Sequence, residues 1–231
     1  LLAFGSCVPN KKIVQLQKED ELKENVELDS ILRSYQLSDY EYRIQPEDIL
    51  YVKIESLADK DYDIFSGSNN AVNMGNQANL ALAGYLVGED GTVQFPEIGK
   101  VNVMNLTVHE IEDKLTNITL KYMPQPSVQV RLLNFRITIL GEVNRQGLIS
   151  TLNNKISIIE ALGLAGGVTD LADQSRVKII RQSEGTANVF YINLLDESLL
   201  MNEEFFIHSN DIVIVSPLKQ RAFRRYFGQN L

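Results

Sequence analysis

The sequence predicts an α+β fold built from two small mixed modules, and three observations lead to this prediction. Short apolar runs bounded by turn residues indicate strands. Two sequences, Thr107 to Glu110 and Ser157 to Glu160, are capping boxes that each open a helix. Residues 133–135 lie between the two groups of elements, so each group is expected to have a core of its own.

Composition and charge limit the possible functions. The chain has 231 residues, enough for two small domains, and its 22 Lys and Arg against 30 Asp and Glu give a net charge of −8. Nucleic-acid binding depends on clustered cations, so nucleic acid is not expected as a partner. The sequence contains no apolar run of about 20 residues, the length that a membrane-spanning helix needs.

The first module is predicted to contain a hairpin. Residues 85–87 and 92–95 are short apolar runs, and the Gly-Glu-Asp-Gly sequence at 88–91 supplies a turn between them. Before this hairpin, residues 66–83 form an insertion rich in small residues and asparagine. Long loops of this kind are functional or mobile, and we expect either mobility or an interface here rather than a ligand site.

A helix and a returning strand complete the first module. The helix begins after Thr107, and its buried face is predicted to contain residues spaced by three and four positions: Val108, Ile111, Leu115 and Ile118. Pro124 and Pro126 end the helix. Residues 128–132 then alternate between apolar and polar side chains, as in a strand.

The second module begins with a strand at 136–143 and a turn at 145–147. A short helix is predicted from Ser157 through Ala165, and the glycines at 166 and 167 close it because the position after a helix favours left-handed geometry. Residues 176–181 and 189–193 are predicted to pair as a hairpin. The last strand is predicted at 206–215, and Pro217 ends it.

Residues 40–133 resemble the polysaccharide export domain of bacterial outer-membrane export proteins. The resemblance rests on the ordered series of residues 42–50, the Gly-Tyr and Asp-Gly-Thr sequences within 84–99, the capped helix, and residues 126–132. Glu47 stands where this family usually has glycine, a residue that adopts left-handed geometry more easily. The resemblance implies a role in the export of bacterial polysaccharide.

The second half resembles the soluble-ligand-binding β-grasp domain, a small sheet wrapped on one helix. Its landmarks here are Leu-Gly-Glu-Val at 140–143, Ala-Leu-Gly-Leu-Ala-Gly-Gly-Val-Thr at 161–169, and Asn-Asp-Ile-Val-Ile-Val at 210–215. Asn210 replaces the usual glycine, and asparagine tolerates the left-handed region. The sequence at 209–215 also echoes that at 46–52, which indicates either a related turn-to-strand geometry in the two halves or chance.

The first seven residues resemble the end of a lipoprotein signal peptide. An apolar run and two small residues precede Cys7, the only cysteine of the chain, and Phe4 stands where leucine is usual. The resemblance implies lipidation of Cys7, while the alternative is a buried free thiol that behaves as a small apolar side chain. Residues 10–40 are polar and charged, and we expect a solvated, flexible tether with at most a weak helix near 26–32.

No constellation of catalytic residues is evident in the sequence. The two histidines, His109 and His208, are placed by the pattern in a first helical turn and on a strand, where structural roles are common. Two histidines and one cysteine do not make a zinc site, and no cofactor is expected. Glu89 and Asp90 are adjacent carboxylates that a turn explains. Paired carboxylates of a glycosidase remain open, because their separation is spatial.

These observations divide the chain into residues 1–39, a lipobox remnant and tether; 40–133, the export domain; 134–217, the β-grasp domain; and 218–231, a basic aromatic tail. The tail suits a membrane surface or an acidic partner, and the alternative is a solvated tail.

The family resemblance implies a non-catalytic component of an exopolysaccharide or capsule export machine. It further implies a homo-oligomeric ring that is lipid-anchored in the outer membrane and faces the periplasm. The implied partner is an inner-membrane polysaccharide co-polymerase, often linked to a tyrosine autokinase. The alternative is a monomeric periplasmic protein that binds or processes glycans.

Overall fold

The computed structural model describes residues 14–17, 33–37, 40–56, 84–96, 98–183 and 185–218. These residues form an α+β fold, as predicted. The chain divides into two compact units. The central unit contains Glu41–Phe135 and Ser150–Asn154, and the C-terminal unit contains Leu1–Tyr40, Arg136–Ile149 and Lys155–Leu231.

The central unit is built on a three-stranded antiparallel sheet. Strand β1, Ile49–Ser56, lies between β2, Tyr85–Leu86, and β5, Pro126–Leu132. The long β1–β5 ladder runs from the pair Leu50↔Leu132 to the pair Ser56↔Pro126. The alternation in the sequence corresponds to a buried face of this ladder. The side chains buried on it are Leu50, Val52, Ile54, Val130 and Leu132.

The sequence predicts that residues 85–87 and 92–95 pair as a hairpin, and this pairing is wrong. Strand β2 pairs with β1, whereas β3, Thr92–Phe95, pairs with β4, Gly99–Asn102. The chain does reverse at 88–91, where the Gly88 N–H donates to the Thr92 carbonyl at 2.9 Å. The Val87 N–H, directly after β2, donates to the Asp48 carbonyl at 2.8 Å, in the turn that precedes β1.

Helix α1, Val108–Thr119, begins at the predicted capping box. The Glu110 N–H donates to the Thr107 hydroxyl at 3.2 Å, and the Thr107 N–H donates to the Glu110 carboxylate at 2.8 Å. Ile111 and Leu115 are fully buried, together with Thr119. The flanking members of the predicted face, Val108 and Ile118, are half-buried, so the buried stripe is narrower than predicted.

The C-terminal unit contains a five-stranded mixed sheet in the order β10, β9, β12, β6, β7. These strands are Thr186–Ile192, Val177–Ser183, Ile212–Val215, Arg136–Gly141 and Gly147–Ser150. Strand β12 runs parallel to β6 and antiparallel to β9. The predicted hairpin of β9 and β10 is confirmed, with Ser183 opposite Thr186 at its turn.

A second capping box opens helix α2, Ile158–Leu164, as predicted. The Ser157 hydroxyl accepts from the Glu160 N–H at 3.2 Å, and the Glu160 carboxylate accepts from the Ser157 N–H at 2.8 Å. Gly166 and Gly167 both have positive φ, at 76° and 82°, which confirms the predicted left-handed end of the helix. The buried side chains of α2 are Ile158, Ala161 and Leu162.

The strand predicted at 206–215 is interrupted. Strand β11, Phe206–Ile207, pairs with β8, Ile156–Ser157, whereas β12 belongs to the five-stranded sheet. Between β11 and β12 the chain turns, and Asn210 adopts a φ of 67°. A single continuous strand is therefore excluded, because this left-handed residue redirects the chain from one sheet to the other.

The turn before β12 has a counterpart before β1, which explains the sequence echo. Glu47 has a φ of 70°, close to the value for Asn210. Asp48 and Asp211 are both buried, and each carboxylate accepts the N–H three residues earlier, from Gln45 at 2.8 Å and from His208 at 2.9 Å. Both turns thus deliver an Asp-Ile sequence into a strand with the same local geometry.

Part of the predicted solvated tether is docked on the C-terminal unit. The N–H groups of Leu16 and Gln17 donate to the carbonyls of Leu194 and Leu195, at 3.0 and 2.6 Å. Arg33 forms an ion pair with Glu197 at 2.8 Å. The prediction is therefore wrong for these residues, because their backbone and charged groups bind this unit. The weak helix predicted near 26–32 lies outside the described residues.

Candidate functional site

Three sites or segments predicted from the sequence lie outside the described residues. These are the lipidation site Cys7, the insertion at 66–83 and the basic aromatic tail beyond residue 218. The remaining candidate residues are His109, His208, Glu89 and Asp90. His208 belongs to the C-terminal unit, and the other three residues belong to the central unit.

The central-unit candidates have local structural roles. Asp90 accepts from the Thr92 hydroxyl at 2.7 Å and from the Thr92 N–H at 3.1 Å, which closes the turn before β3. These hydrogen bonds lower the pKa of Asp90. Glu89 is exposed in the same turn. His109 is 83 % exposed on α1, with Nδ1 3.5 Å from the Glu112 carboxylate.

His208 lies beside a buried cluster of charged residues that sequence reasoning missed. It follows β11 in the turn rather than on a strand, which corrects the prediction. Arg181, on β9, is the centre of this cluster. Its Nε and Nη2 donate to the Asp211 carboxylate at 3.0 and 2.8 Å, and its Nη1 lies 2.6 Å from the Glu204 carboxylate.

Aromatic rings surround the Arg181 cluster. The Tyr40 ring stacks on Phe206 with centroids 5.6 Å apart and lies 4.8 Å from the His208 ring. The Arg181 guanidinium lies over Phe190 at 5.5 Å. All of these residues belong to the C-terminal unit, and Tyr40 contributes its ring to the cluster.

Burial dominates the electrostatics of the Arg181 cluster. Burial and the positive charge of Arg181 lower the pKa of His208 to about 4. Burial raises the pKa of the Glu204 and Asp211 carboxyls, and Arg181 opposes both rises. His208 is therefore neutral near pH 7, and the guanidinium is held between two carboxylates. The cluster holds the turn before β12, where the Asp211 carboxylate accepts from the His208 N–H as well as from Arg181.

A second feature is the outward face of the five-stranded sheet, which we call the outer sheet face. The register places two rows of side chains across four strands. One row is Val189, Ile180, Ile212 and Thr138, and the other is Tyr191, Lys178, Ile214 and Leu140. Val189 is 52 % and Tyr191 56 % exposed. The opposite rows, which include Ile179, Val213 and Ile139, are fully buried.

Cations accompany the aromatic side chain of the outer sheet face. Arg176 and Lys178 place their charged groups 5.5 and 5.6 Å from the centre of the Tyr191 ring. Within the described part of the chain, neither cation has a carboxylate partner. The surface thus combines apolar side chains with positive charge, in a chain that is acidic as a whole.

Two further properties concern only the residues described above. Among them, no helix is long and apolar enough to cross a membrane. In the same residues, no three His, Cys, Asp or Glu side chains lie close enough together to hold a metal ion.

The two units define a two-module α+β protein. A family model described as polysaccharide biosynthesis/export protein matches residues 36–133, and a model described as SLBB domain matches residues 136–215. The two matches together span most of the chain. Both matches agree with the resemblance to polysaccharide export proteins that the sequence indicates.

Two curated relatives carry the same name. The EPS I polysaccharide export outer membrane protein EpsA of Ralstonia solanacearum is 29 % identical over 201 residues, which cover 84 % of this chain and 52 % of that protein. EpsA of Ralstonia nicotianae is 32 % identical over 105 residues, which cover 44 % of this chain and 28 % of that protein. The chain therefore spans about half the length of the first relative, and less of the second.

Proposed function

We propose that the chain is a non-catalytic component of a machine that exports bacterial exopolysaccharide or capsule. The observation that carries this proposal is the tandem of an export domain and an SLBB domain in one chain. In this proposal the protein forms an oligomeric conduit at the outer membrane, on its periplasmic side. The names of both relatives, which describe outer-membrane export proteins, support that location.

Cys7 is the proposed point of membrane attachment. A lipid on its sulfur, together with further acyl chains, would supply the two or more anchors that stable membrane association needs. The proposed partners are the polysaccharide itself and an inner-membrane polysaccharide co-polymerase linked to a tyrosine autokinase. Neither nucleic acid nor a cofactor has a role in this proposal.

A conduit acts through geometry and weak contacts rather than through bond-making. A polymer must leave each contact as readily as it enters, because tight binding implies slow release. The excess of 30 acidic over 22 basic residues would oppose tight capture of an anionic polymer. The engagement of Asp90 in a turn and of His208 in the Arg181 cluster supports structural roles for these candidate residues.

The proposal is tested in a strain that lacks the native gene and is complemented with variants. We expect surface polysaccharide to return with the wild-type chain and with alanine variants of Glu89, Asp90, His109 and His208. The native mass of the assembly, extracted in mild detergent, should be a multiple of the chain mass. Loss of export from one of these variants, with folding and assembly intact, would contradict the non-catalytic role and favour the glycan-processing alternative.

Anchoring is tested in the same strain by membrane fractionation. The Cys7→Ser variant should move from the membrane fraction to the soluble periplasmic fraction while its melting temperature stays unchanged. If the variant remains in the membrane fraction, the lipid anchor at Cys7 is wrong and the attachment must be sought elsewhere in the chain.

A further inference from the structure

The five-stranded sheet differs in charge from the rest of the chain. Its strands contain no Asp or Glu, although 30 of the 231 residues of the chain are acidic. They contain three cationic side chains, and one of these, Arg181, is engaged with two carboxylates on the opposite side of the sheet. The other two, Arg136 and Lys178, alternate onto the outer sheet face.

Tyr191 collects positive charge on the outer sheet face. Lys178 lies directly opposite Tyr191 in the register, and Arg176 is the residue before β9. Their charged groups lie 5.6 and 5.5 Å from the centre of the Tyr191 ring, a distance at which an aromatic ring attracts cations. Tyr191 is 56 % exposed, so a ligand can reach this ring. Neither these two cations nor Arg136 forms an ion pair with a carboxylate of the described residues.

Two cations beside an exposed tyrosine ring indicate a ligand that carries carboxylates. Arginine binds a carboxylate through two parallel hydrogen bonds, and lysine adds a point charge. Tyrosine offers an apolar ring and a polar hydroxyl to the same ligand. A sugar acid combines a carboxylate with apolar C–H groups and hydroxyls, so it matches all of these groups.

A protein partner matches the outer sheet face less well. The centres of protein interfaces are apolar and poor in lysine. On this face Lys178 lies among the central side chains, and its apolar neighbours Ile180, Ile212 and Ile214 are half-buried, so they offer little apolar surface to a partner.

We propose that the outer sheet face binds the carboxylate-bearing sugars of an acidic polysaccharide, with Arg176 and Lys178 at the carboxylate and Tyr191 in contact with the sugar ring. The inference rests on the proposed function, which supplies a polysaccharide, and it adds the chemical class of the polymer and the place that holds it. Each contact is weak, because water and salt screen exposed charges. Weak contacts suit transport, since a polymer presents the same group repeatedly and a released sugar is replaced by the next.

The first test compares probes that differ in charge and in scaffold. The full chain, extracted in mild detergent, is titrated with oligogalacturonate, with its neutral methyl ester and with a short poly-glutamate peptide. We expect the ester to bind about fivefold or more weakly than the acid, and added salt to reduce this difference. Equal binding of acid and ester would overturn the proposal, as would the absence of binding up to about 10 mM. Poly-glutamate that binds as tightly as oligogalacturonate would overturn it in favour of an acidic protein partner.

Paired substitutions test the two cations. Arg176→Gln combined with Lys178→Gln removes both charges from the outer sheet face. The matched control removes two exposed cations from the central unit, by Lys121→Gln combined with Arg131→Gln. We expect the face variant to lose about fivefold or more in affinity for oligogalacturonate and the control to bind like wild type. Equal losses in both variants would show that net charge, rather than this face, governs binding.

A fluorotyrosine at position 191 locates the ligand in a chain that keeps both cations, so this measurement does not depend on how well the charge variants fold. Its fluorine NMR signal should shift when oligogalacturonate is added, and it should shift less with the methyl ester. A signal that stays unchanged while oligogalacturonate binds would place the ligand elsewhere and overturn the proposal.

Surface polysaccharide in the complemented strain separates this inference from the proposed function. If the chain restores export but does not bind oligogalacturonate, the binding site is wrong and the export role is untouched. If the chain binds oligogalacturonate but does not restore export, the site stands and the proposed function is contradicted. Loss of both binding and export in the face variant, with normal export in the control, supports both.

Discussion

At the scale of single residues, Arg181 of the C-terminal unit is held by ion pairs with two carboxylates. All three guanidinium nitrogens lie against carboxylates, and the side chains of Asp211 and Glu204 are 1 and 18 % exposed. Replacing a whole buried ion cluster with apolar residues often costs little, whereas removing one partner leaves a buried charge uncompensated. The two kinds of substitution therefore have different consequences here.

Arg181→Met should lower the free energy of unfolding by about 3–5 kcal/mol, because it leaves Asp211 and Glu204 buried without their cation. Urea denaturation followed by circular dichroism measures the change. Adding Glu204→Gln and Asp211→Asn to this variant should recover part of the loss. Arg131→Ala, at an exposed position on β5, is the control and should change stability by less than about 0.5 kcal/mol. No recovery in the triple variant would show that packing, rather than charge, causes the loss.

His208 should make stability depend on pH. Its pKa is lowered from 6.5 to about 4 by burial and by Arg181, so the unfolded chain binds a proton at this side chain between those values and the folded chain does not. The stabilising contribution of neutral His208 is complete above about pH 6.5 and is lost as pH falls towards 4. Tyr40, Arg181 and Asp211 are the groups that face it.

We expect the stability advantage of wild type over His208→Gln to shrink by about 1–3 kcal/mol between pH 7 and pH 4, measured by urea titration at each pH. The raised pKa values of Glu204 and Asp211 act in the opposite direction, but both residues are present in both proteins and so cancel in the difference. His109→Gln, which removes the other histidine, should retain the wild-type profile. A constant difference across this range would contradict the argument.

At the scale of elements, the turns at Glu47 and Asn210 show how the same geometry is reached with different residues. Asn210 tolerates its positive φ, and its side chain also accepts from Arg136 Nε at 2.8 Å. Glu47 holds a φ of 70° at a cost, since left-handed geometry is unfavourable for a residue with a side chain. Hydrogen bonds from Asn134 to the Glu47 carbonyl and from the Glu47 N–H to Val87 hold it there.

Glu47→Gly should therefore raise the free energy of unfolding by about 0.5–1 kcal/mol, because the relief of backbone strain exceeds the added freedom of the unfolded chain. Thermal and urea denaturation measure the gain. Glu89→Gly is the matched control in another exposed turn, where φ is not positive, and should be neutral or destabilising. If both glycine variants lose stability, the left-handed geometry at Glu47 carries no strain.

Elements governed by local interactions were predictable from the sequence, and those governed by distant partners were not. The capping boxes at Thr107 and Ser157 depend on residues three positions apart, so both helices begin where predicted. Strand β2 has two residues, and its pairing with β1 rather than β3 is decided by the turn at Asp48, far away in sequence. The predicted last strand is split at Asn210: the sequence indicates that this residue tolerates positive φ, but not that the chain passes to another sheet there.

The candidate sites likewise depend on contacts between residues that are distant in sequence. The Arg181 cluster joins residues that are 23 and 30 positions apart, and no spacing rule in the sequence connects them. The outer sheet face did leave a signal, the continuous apolar run at 212–215, which is typical of a strand covered on both faces. Its extent across four strands depends on the register, which only the structure supplies.

At the scale of the whole molecule, the chain leaves the central unit after Asn134 and Phe135. The Asn134 side chain accepts from the Ile49 N–H and donates to the Glu47 carbonyl, both at 2.9 Å. Phe135 is fully buried, and its ring meets Tyr42 edge-on at 5.6 Å. Both residues therefore contribute to the central unit, although the sequence predicts that the second domain begins at residue 134.

A fragment of residues 40–135 should fold cooperatively on its own and should be more stable than a fragment of residues 40–133 by about 2–4 kcal/mol. The gain comes from the buried Phe135 ring and the two hydrogen bonds of Asn134. Urea denaturation and amide hydrogen exchange measure stability and cooperativity. Phe135→Ala in the longer fragment is the control and should remove most of the gain. If neither fragment unfolds cooperatively, the two units depend on one another for a core, and the predicted division into independent domains is wrong.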